Sequence, residues 1–184
     1  MKKIVVLNGS PHQQGNTMKL VNHVIRDFEN SDVKVKEYQL NRMNIKGCQG
    51  CYACKKDGTC VLQDDMKAVL GDIKNADGVI LATPVYMGQM TAQLKIAVDR
   101  FYSFSKMDFS SFLESNKKVL LVITQGSPVL SAFGQYFDSV MKVLSVIGFG
   151  DSNLLIEGGV AASGELINLK DKANAKLMMK WLIE

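Results

Sequence analysis

Short runs rich in β-branched residues alternate along this chain with longer segments of helical period, and few folds accommodate that alternation. Strands joined through helices run parallel, and a parallel sheet is covered by helices on both faces. Ile4 to Leu7 is an uninterrupted apolar run, as expected of a strand buried on both sides. Val33 to Leu40 instead mixes Val33, Val35 and Leu40 with charged residues, the pattern of an edge strand with one wet face. Gly78 to Ala82, Val119 to Thr124 and Asn153 to Ile156 supply three further strands.

The intervening segments read as helices. The first starts near Asn16, with Met18, Val21, Ile25 and Phe28 on one face and Lys19, Asn22, Arg26 and Glu29 off it. Asp64-Asp65 opens a second reaching about Asn75, because a carboxylate caps first-turn amides and suits the helix dipole. Others span Thr91 to Phe104 and Phe133 to Ile147, and a final one reaches Trp181. Right-handed crossovers then predict a doubly wound, five-stranded parallel sheet of order 2-1-3-4-5, in a three-layer α/β/α arrangement. At 184 residues the chain fits a single domain spanning 1–184.

The formal charge of +4 comes from Lys and Arg scattered along the chain rather than gathered in a basic block, which argues against a nucleic-acid partner. Four apolar residues precede Asn8, too few for a signal-peptide core or a membrane span. The expectation is a cytoplasmic protein with no membrane partner.

In an open α/β sheet, ligands bind beyond the carboxyl ends of the strands, at the topological switch point. Gly9-Ser10-Pro11-His12-Gln13-Gln14-Gly15-Asn16-Thr17 joins the first strand to a helix N-terminus, whose amides and positive dipole end attract an anion. Ser10 and Thr17 add hydroxyl donors. Neither the three-glycine dinucleotide fingerprint nor the Gly-Lys-Ser/Thr of a P-loop is present. Pro84-Val85-Tyr86-Met87-Gly88 follows the third strand and offers backbone amides with apolar and aromatic surface. Thr124-Gln125-Gly126-Ser127-Pro128 takes the third ligand-facing position, where Gly126 permits close backbone approach.

Gly9-Ser10-Pro11 followed by Gly15-Asn16-Thr17 resembles the FMN-phosphate loop of the NADPH-dependent FMN reductases and iron-sulfur flavoproteins. The resemblance runs over roughly residues 3 to 160 and implies a flavodoxin-like fold. It places the FMN phosphate at Ser10, His12, Gln14, Gly15, Asn16 and Thr17, and the flavin ring at Pro84, Val85, Tyr86, Met87 and Gly88, with Gln125 and Gly126 beside it. His12 stands where many of these reductases carry Arg. NAD(P)H is the implied cosubstrate, a small molecule the acceptor, and a homodimer or homotetramer the assembly. Because hydride transfer needs orientation of the ring more than a side-chain acid or base, no catalytic residue is assigned.

All four cysteines lie in one window, Cys48-x2-Cys51-x2-Cys54-x5-Cys60, whereas a disulfide framework would spread them across the fold. The run is compact enough to wrap one [4Fe-4S] cluster, although the last spacing differs from the ferredoxin pattern and Val61, not Pro, follows Cys60. Structural zinc and reduced thiols without metal remain alternatives. The segment also resembles the iron-sulfur flavoprotein motif. Three functions follow: an FMN-dependent NAD(P)H oxidoreductase, an electron carrier exchanging electrons with a ferredoxin-like partner through a cluster, or a flavodoxin-like regulatory module without turnover.

Overall fold

A computed structural model of the chain describes residues 1–26, 32–114, 117–160 and 172–184. Five strands, β1 (Lys2–Asn8), β2 (Val33–Gln39), β3 (Gly78–Tyr86), β5 (Lys118–Thr124) and β6 (Asp151–Glu157), form one parallel sheet of order β2-β1-β3-β5-β6. This is the expected 2-1-3-4-5 order with one addition. A short strand β4 (Gln89–Met90) pairs antiparallel with the end of β3. That pairing carries β3 past the expected end at Ala82 as far as Tyr86.

The helices are α1 (Asn16–Ile25), α2 (Met66–Lys74), α3 (Ala92–Arg100), α4 (Gly134–Val146) and α5 (Lys172–Ile183). α3 ends sooner than its apolar pattern suggested, because the chain tightens into a 3-10 turn over Phe101–Phe104. Of the first helix's expected residues, Phe28 and Glu29 lie outside the described residues.

Alternate side chains of each central strand enter opposite cores, which explains the continuous apolar runs. Ile4 and Val6 of β1, with Ile80 of β3 and Leu120 and Val122 of β5, meet α1 and α5. Val5, Leu7, Leu81 and Leu121 face the other way, toward α2, α3 and α4. On that side Phe101, Phe104 and Phe149 pack as a cluster with ring centroids 5.4 to 6.3 Å apart. The edge strands β2 and β6 are only partly buried.

Gly9 lies where β1 leaves the sheet. Its amide donates to the Ala82 carbonyl at 2.8 Å, and Thr91 Oγ1 donates to the Gly9 carbonyl at 2.7 Å. A Cβ at this position would stand 2.6 Å from Leu94 Cβ and 2.9 Å from Thr91 Oγ1. α3 therefore closes on β1 only because residue 9 has no side chain. Gly9→Ala is expected to destabilise the chain by about 1 to 3 kcal/mol in urea unfolding, as overpacking does.

Candidate functional site

The carboxyl ends of β1, β3 and β5 open onto a cavity of about 340 Å³, near the lower end of the range for ligand sites. From the first loop, Ser10, His12, Gly15, Asn16 and Thr17 line it. Pro84, Val85 and Tyr86 supply a second wall, and Gln125 and Gly126 a third. Ten of the residues picked from the sequence thus meet around one space. Gln14, Met87 and Gly88 do not line it: Gln14 is exposed, and the other two form the tip of the β3–β4 hairpin.

Met87 and Gly88, between the paired Tyr86 and Gln89, both have positive φ, 49° and 79°. Such a two-residue turn matches the twist of the strands it joins. It leaves Met87 fully exposed and Tyr86 at 45% exposure beside the cavity.

The first loop is held from beneath. Buried Asn8 donates through Nδ2 to Glu37 Oε1 and Gln39 Oε1 of the neighbouring strand and accepts the Ser10 amide on Oδ1 at 3.0 Å. Gln39 Nε2 donates to the Ser10 carbonyl at 2.8 Å. Ser10 Oγ accepts the His12 amide at 3.2 Å, and the Gly15 amide donates to the His12 carbonyl at 3.0 Å. α1 then begins with Gly15 as its N-cap and no side-chain capping bond. Its first-turn amides, which have no acceptor within the helix, and its positive dipole end are presented to the cavity by the lining residues Asn16 and Thr17.

Thr17 also joins the first loop to the third, because its hydroxyl and that of Thr124, both buried, lie 2.7 Å apart. Gln125 is 3% exposed. Its amide donates to the Glu157 carbonyl at 2.9 Å, and its Nε2 to the Ser127 and Val129 carbonyls at 3.1 and 2.7 Å. Its Oε1 is buried without a hydrogen-bond partner among the described residues. A Cβ at Gly126 would meet nothing within 4 Å, so the space beside it is open to an incoming group. Thr124 and Val160 line the cavity without having been selected from the sequence. Thr124 carried a legible signal, a polar residue at the carboxyl end of a buried strand; Val160 carried none.

The cysteine segment hangs beside α3. At its base the Asn44 amide donates to Asp65 Oδ2 at 2.7 Å and the Lys46 amide to Asp64 Oδ2 at 2.9 Å. Arg100 clamps the same carboxylate with Nη1 and Nη2 at 2.7 and 3.2 Å and donates from Nη1 to the Lys46 carbonyl at 2.8 Å. Both side chains of that pair are essentially fully buried, at 0 and 1% exposure. Burial alone would raise the Asp64 pKa, but Arg100 and the Lys46 and Met66 amides outweigh it and hold the carboxyl below its ordinary value. Asp64 thus accepts a first-turn amide of α2, as expected, and does more by closing the loop. Farther along, Lys55 Nζ donates to the Tyr102 and Ser105 carbonyls at 2.7 and 2.6 Å.

Cys48 and Cys51 are exposed, Cys54 is buried and Cys60 half-buried, and all are free thiols. Burial pushes the Cys54 thiol up, with Lys55 opposing only in part. The four line one small cavity of about 20 Å³, room for roughly one water and less than an iron-sulfur cube requires. No group of three or more His, Cys, Asp or Glu among the described residues is placed to hold a metal ion. In this arrangement the segment fits neither zinc nor a [4Fe-4S] cluster.

A doubly wound parallel sheet of this order, with the loops after β1, β3 and β5 meeting at its switch point, is a flavodoxin-like architecture. Residues 2–148 match the family model described as NADPH-dependent FMN reductase, and the chain belongs to that family. An iron-sulfur flavoprotein of Archaeoglobus fulgidus is 30% identical over 150 residues, 82% of this chain and 66% of that protein. One from Methanocaldococcus jannaschii is 37% identical over 98 residues, 53% of this chain and 51% of its own. The chain thus spans about half to two thirds of the length of these curated relatives. The solved structure of an NAD(P)H:quinone oxidoreductase from Methanothermobacter marburgensis superposes with a TM-score of 0.74 over 99% of this chain and 96% of that one. At 15% identity the likeness is one of fold. Among the described residues no helix is long and apolar enough to cross a membrane.

Two outcomes test this geometry. Thr17→Val should cost about 1 to 3 kcal/mol in urea unfolding, because it leaves the buried Thr124 hydroxyl without its partner. Asp64→Asn should cost about 3 to 5 kcal/mol, since it strands a buried guanidinium. With its folded pKa depressed, Asp64 contributes stability that is fully present above its ordinary value near 3.8 and is lost as pH falls through the folded value. Acid titrations of stability should therefore show a shallower loss below that pH in Asp64→Asn than in the wild type.

Proposed function

We propose that the chain is an FMN-dependent NAD(P)H oxidoreductase that uses the cavity at the ends of β1, β3 and β5 to hold the cofactor. The observation that carries this reading is the convergence of an anion-attracting helix start, an apolar and aromatic wall and an open glycine edge on one space. The orphaned Gln125 Oε1 and the room beside Gly126 are what a heteroaromatic ring with N–H and C=O edges would fill. The residues present therefore fit FMN.

FMN supplies the electron chemistry when bound, taking a hydride from a nicotinamide and passing electrons to a small acceptor. The chain's own residues bind and orient. The α1 amides, with Ser10 and Thr17 beside them, would hold the phosphate, and the dipole of α1 would favour its charge. Val85 and Tyr86 would offer apolar surface to the ring, and Gln125 and Gly126 would hold it from the third wall. His12 is exposed at the cavity rim. Tyr86, at 45% exposure, leaves access for a nicotinamide and then for an acceptor such as a quinone, a nitro compound or a free flavin.

An electron carrier with a [4Fe-4S] cluster on Cys48, Cys51, Cys54 and Cys60, served by a ferredoxin-like partner, is the second reading. It is favoured by the meeting of all four thiols at one cavity on a loop tied at its base and by the names of the relatives. Loading would require that loop to part, since its cavity is too small. A homodimer or homotetramer and a cytoplasmic location accompany both readings as proposals.

The apoprotein should bind FMN with quenching of flavin fluorescence. Gly126→Val, which meets open space in the free chain, should leave urea stability unchanged yet weaken FMN by roughly tenfold or more, over 1.4 kcal/mol. In anaerobic spectra, NADPH should bleach the flavin bands of the loaded protein. A protein that takes up no FMN would refute the proposal; brown absorption with iron and acid-labile sulfide, unresponsive to NADPH, would establish the second reading instead.

A further inference from the structure

The cysteine segment carries nucleophilic groups that the flavin site does not use. Its four thiols are free and line the same small cavity, but they are not equivalent. Cys54 is buried at 8% exposure within the 3-10 turn Ala53–Lys55, whereas Cys51, three residues earlier, is exposed. Cys48, also exposed, borders a separate cavity of about 580 Å³ between α3 and α4, walled in part by Val98 and Val143. Cys60 is half-buried and lies against the Arg100 guanidinium. Of the cavities described, Cys51 and Cys54 line only the one they share.

The backbone turns sharply between these two residues. Tyr52 has φ 59°, in the left-handed region that favours glycine, and the Lys55 amide donates to its carbonyl at 2.9 Å. A tyrosine stays in that conformation only when its surroundings fix it. Here the Tyr52 ring meets Tyr102 edge-on, with centroids 6.0 Å apart, and Lys55 Nζ is anchored on the Tyr102 and Ser105 carbonyls. The turn thus brings an exposed thiol and a buried one to one space before any bond joins them, which lowers the entropic cost of joining them. Two intervening residues are the spacing of the Cys-X-X-Cys redox motif. The same spacing separates Cys48 from Cys51, but both of those are exposed.

We propose that Cys51 and Cys54 form a dithiol that a peroxide oxidises to a disulfide. With hydrogen peroxide, the Cys51 sulfur bonds to one peroxide oxygen as the O–O bond breaks, giving a sulfenic acid and one water. The Cys54 sulfur then attacks the Cys51 sulfur. The S–S bond forms, the S–O bond breaks, and the departing hydroxyl takes the Cys54 proton as a second water. Two electrons pass from the thiol pair to the peroxide. Exposure opens Cys51 to the oxidant, while burial shields Cys54 and leaves it an internal partner. No residue of the flavin site takes part, so the proposal does not rest on FMN binding, and a cluster on the same thiols would exclude it.

The test uses the full chain, purified without oxygen, reduced, freed of reductant and treated with equimolar hydrogen peroxide, with iron and acid-labile sulfide measured on the same sample. Remaining thiols are alkylated before digestion with trypsin. Cleavage at Lys46 and Lys55 leaves Cys48, Cys51 and Cys54 on one peptide and Cys60 on another. The first peptide should lack two hydrogens and carry an alkyl group on Cys48 alone, while Cys60 stays fully alkylated. Cys48→Ser should still form the disulfide and Cys51→Ser should lose it. Cys54→Ser should trap the sulfenic acid as a dimedone adduct on Cys51. The wild-type peptide map needs no variant, so the test stands even if Cys54→Ser does not fold. A disulfide that includes Cys48 or Cys60, a link between chains, sulfinic acid on Cys51 without a disulfide, or thiols left unoxidised would overturn the proposal, as would iron and sulfide bound to the segment. Failure of FMN to bind in the separate fluorescence titration would refute the flavin reading and leave these outcomes unaffected.

Discussion

Burial of the parallel sheet on both faces is the constraint from which the rest of the molecule follows. With α1 and α5 on one side and α2, α3 and α4 on the other, the crossovers run the five main strands parallel. The loops after β1, β3 and β5 then emerge at one edge. The candidate site is built at that edge. Close contact of β1 with α3 at Gly9, and of the first loop with the third through Thr17 and Thr124, turns three separate loops into one cavity.

The cysteine segment depends on a different kind of interaction. Its ends are drawn together by a buried ion pair, Arg100 with Asp64, supported by backbone hydrogen bonds to residues 44 and 46. A buried pair of this sort adds little net stability over apolar packing, but it penalises any arrangement that separates the charges. Its effect here is to hold residues 47–63 against α3 and the 3-10 turn that follows. Lys55, reaching the carbonyls of Tyr102 and Ser105, keeps the middle of the loop there as well. The thiols are thus gathered by groups other than themselves around one small cavity.

Much of this was legible in the sequence. Hydrophobic period separated strands from helices, and the uninterrupted run Ile4 to Leu7 declared a strand covered on both sides. Right-handed crossovers left the strand order little freedom, and the loops after the first, third and fourth strands of the sequence reading held ten of the residues that line the cavity. Less legible was the hairpin at Met87 and Gly88: a Met at positive φ has no local signal, so residues that looked like part of the ring site stand instead at an exposed tip. Asp64 read as a helix cap because the first-turn amide lies two residues away, whereas its partner Arg100 is distant in sequence.

Local chemistry therefore determined, from the sequence by itself, the class of fold, the sheet order, the anion-seeking first loop and the clustering of the cysteines, because each rests on residue period or near neighbours. Only the tertiary structure decided which loop residues share a cavity, that the cysteine segment is clasped by Arg100 and Asp64, and that a second cavity lies between α3 and α4. Those features arise from pairs far apart along the chain, Thr17 with Thr124, Asp64 with Arg100 and Val98 with Val143, whose proximity is set by packing and leaves no periodic trace in the sequence.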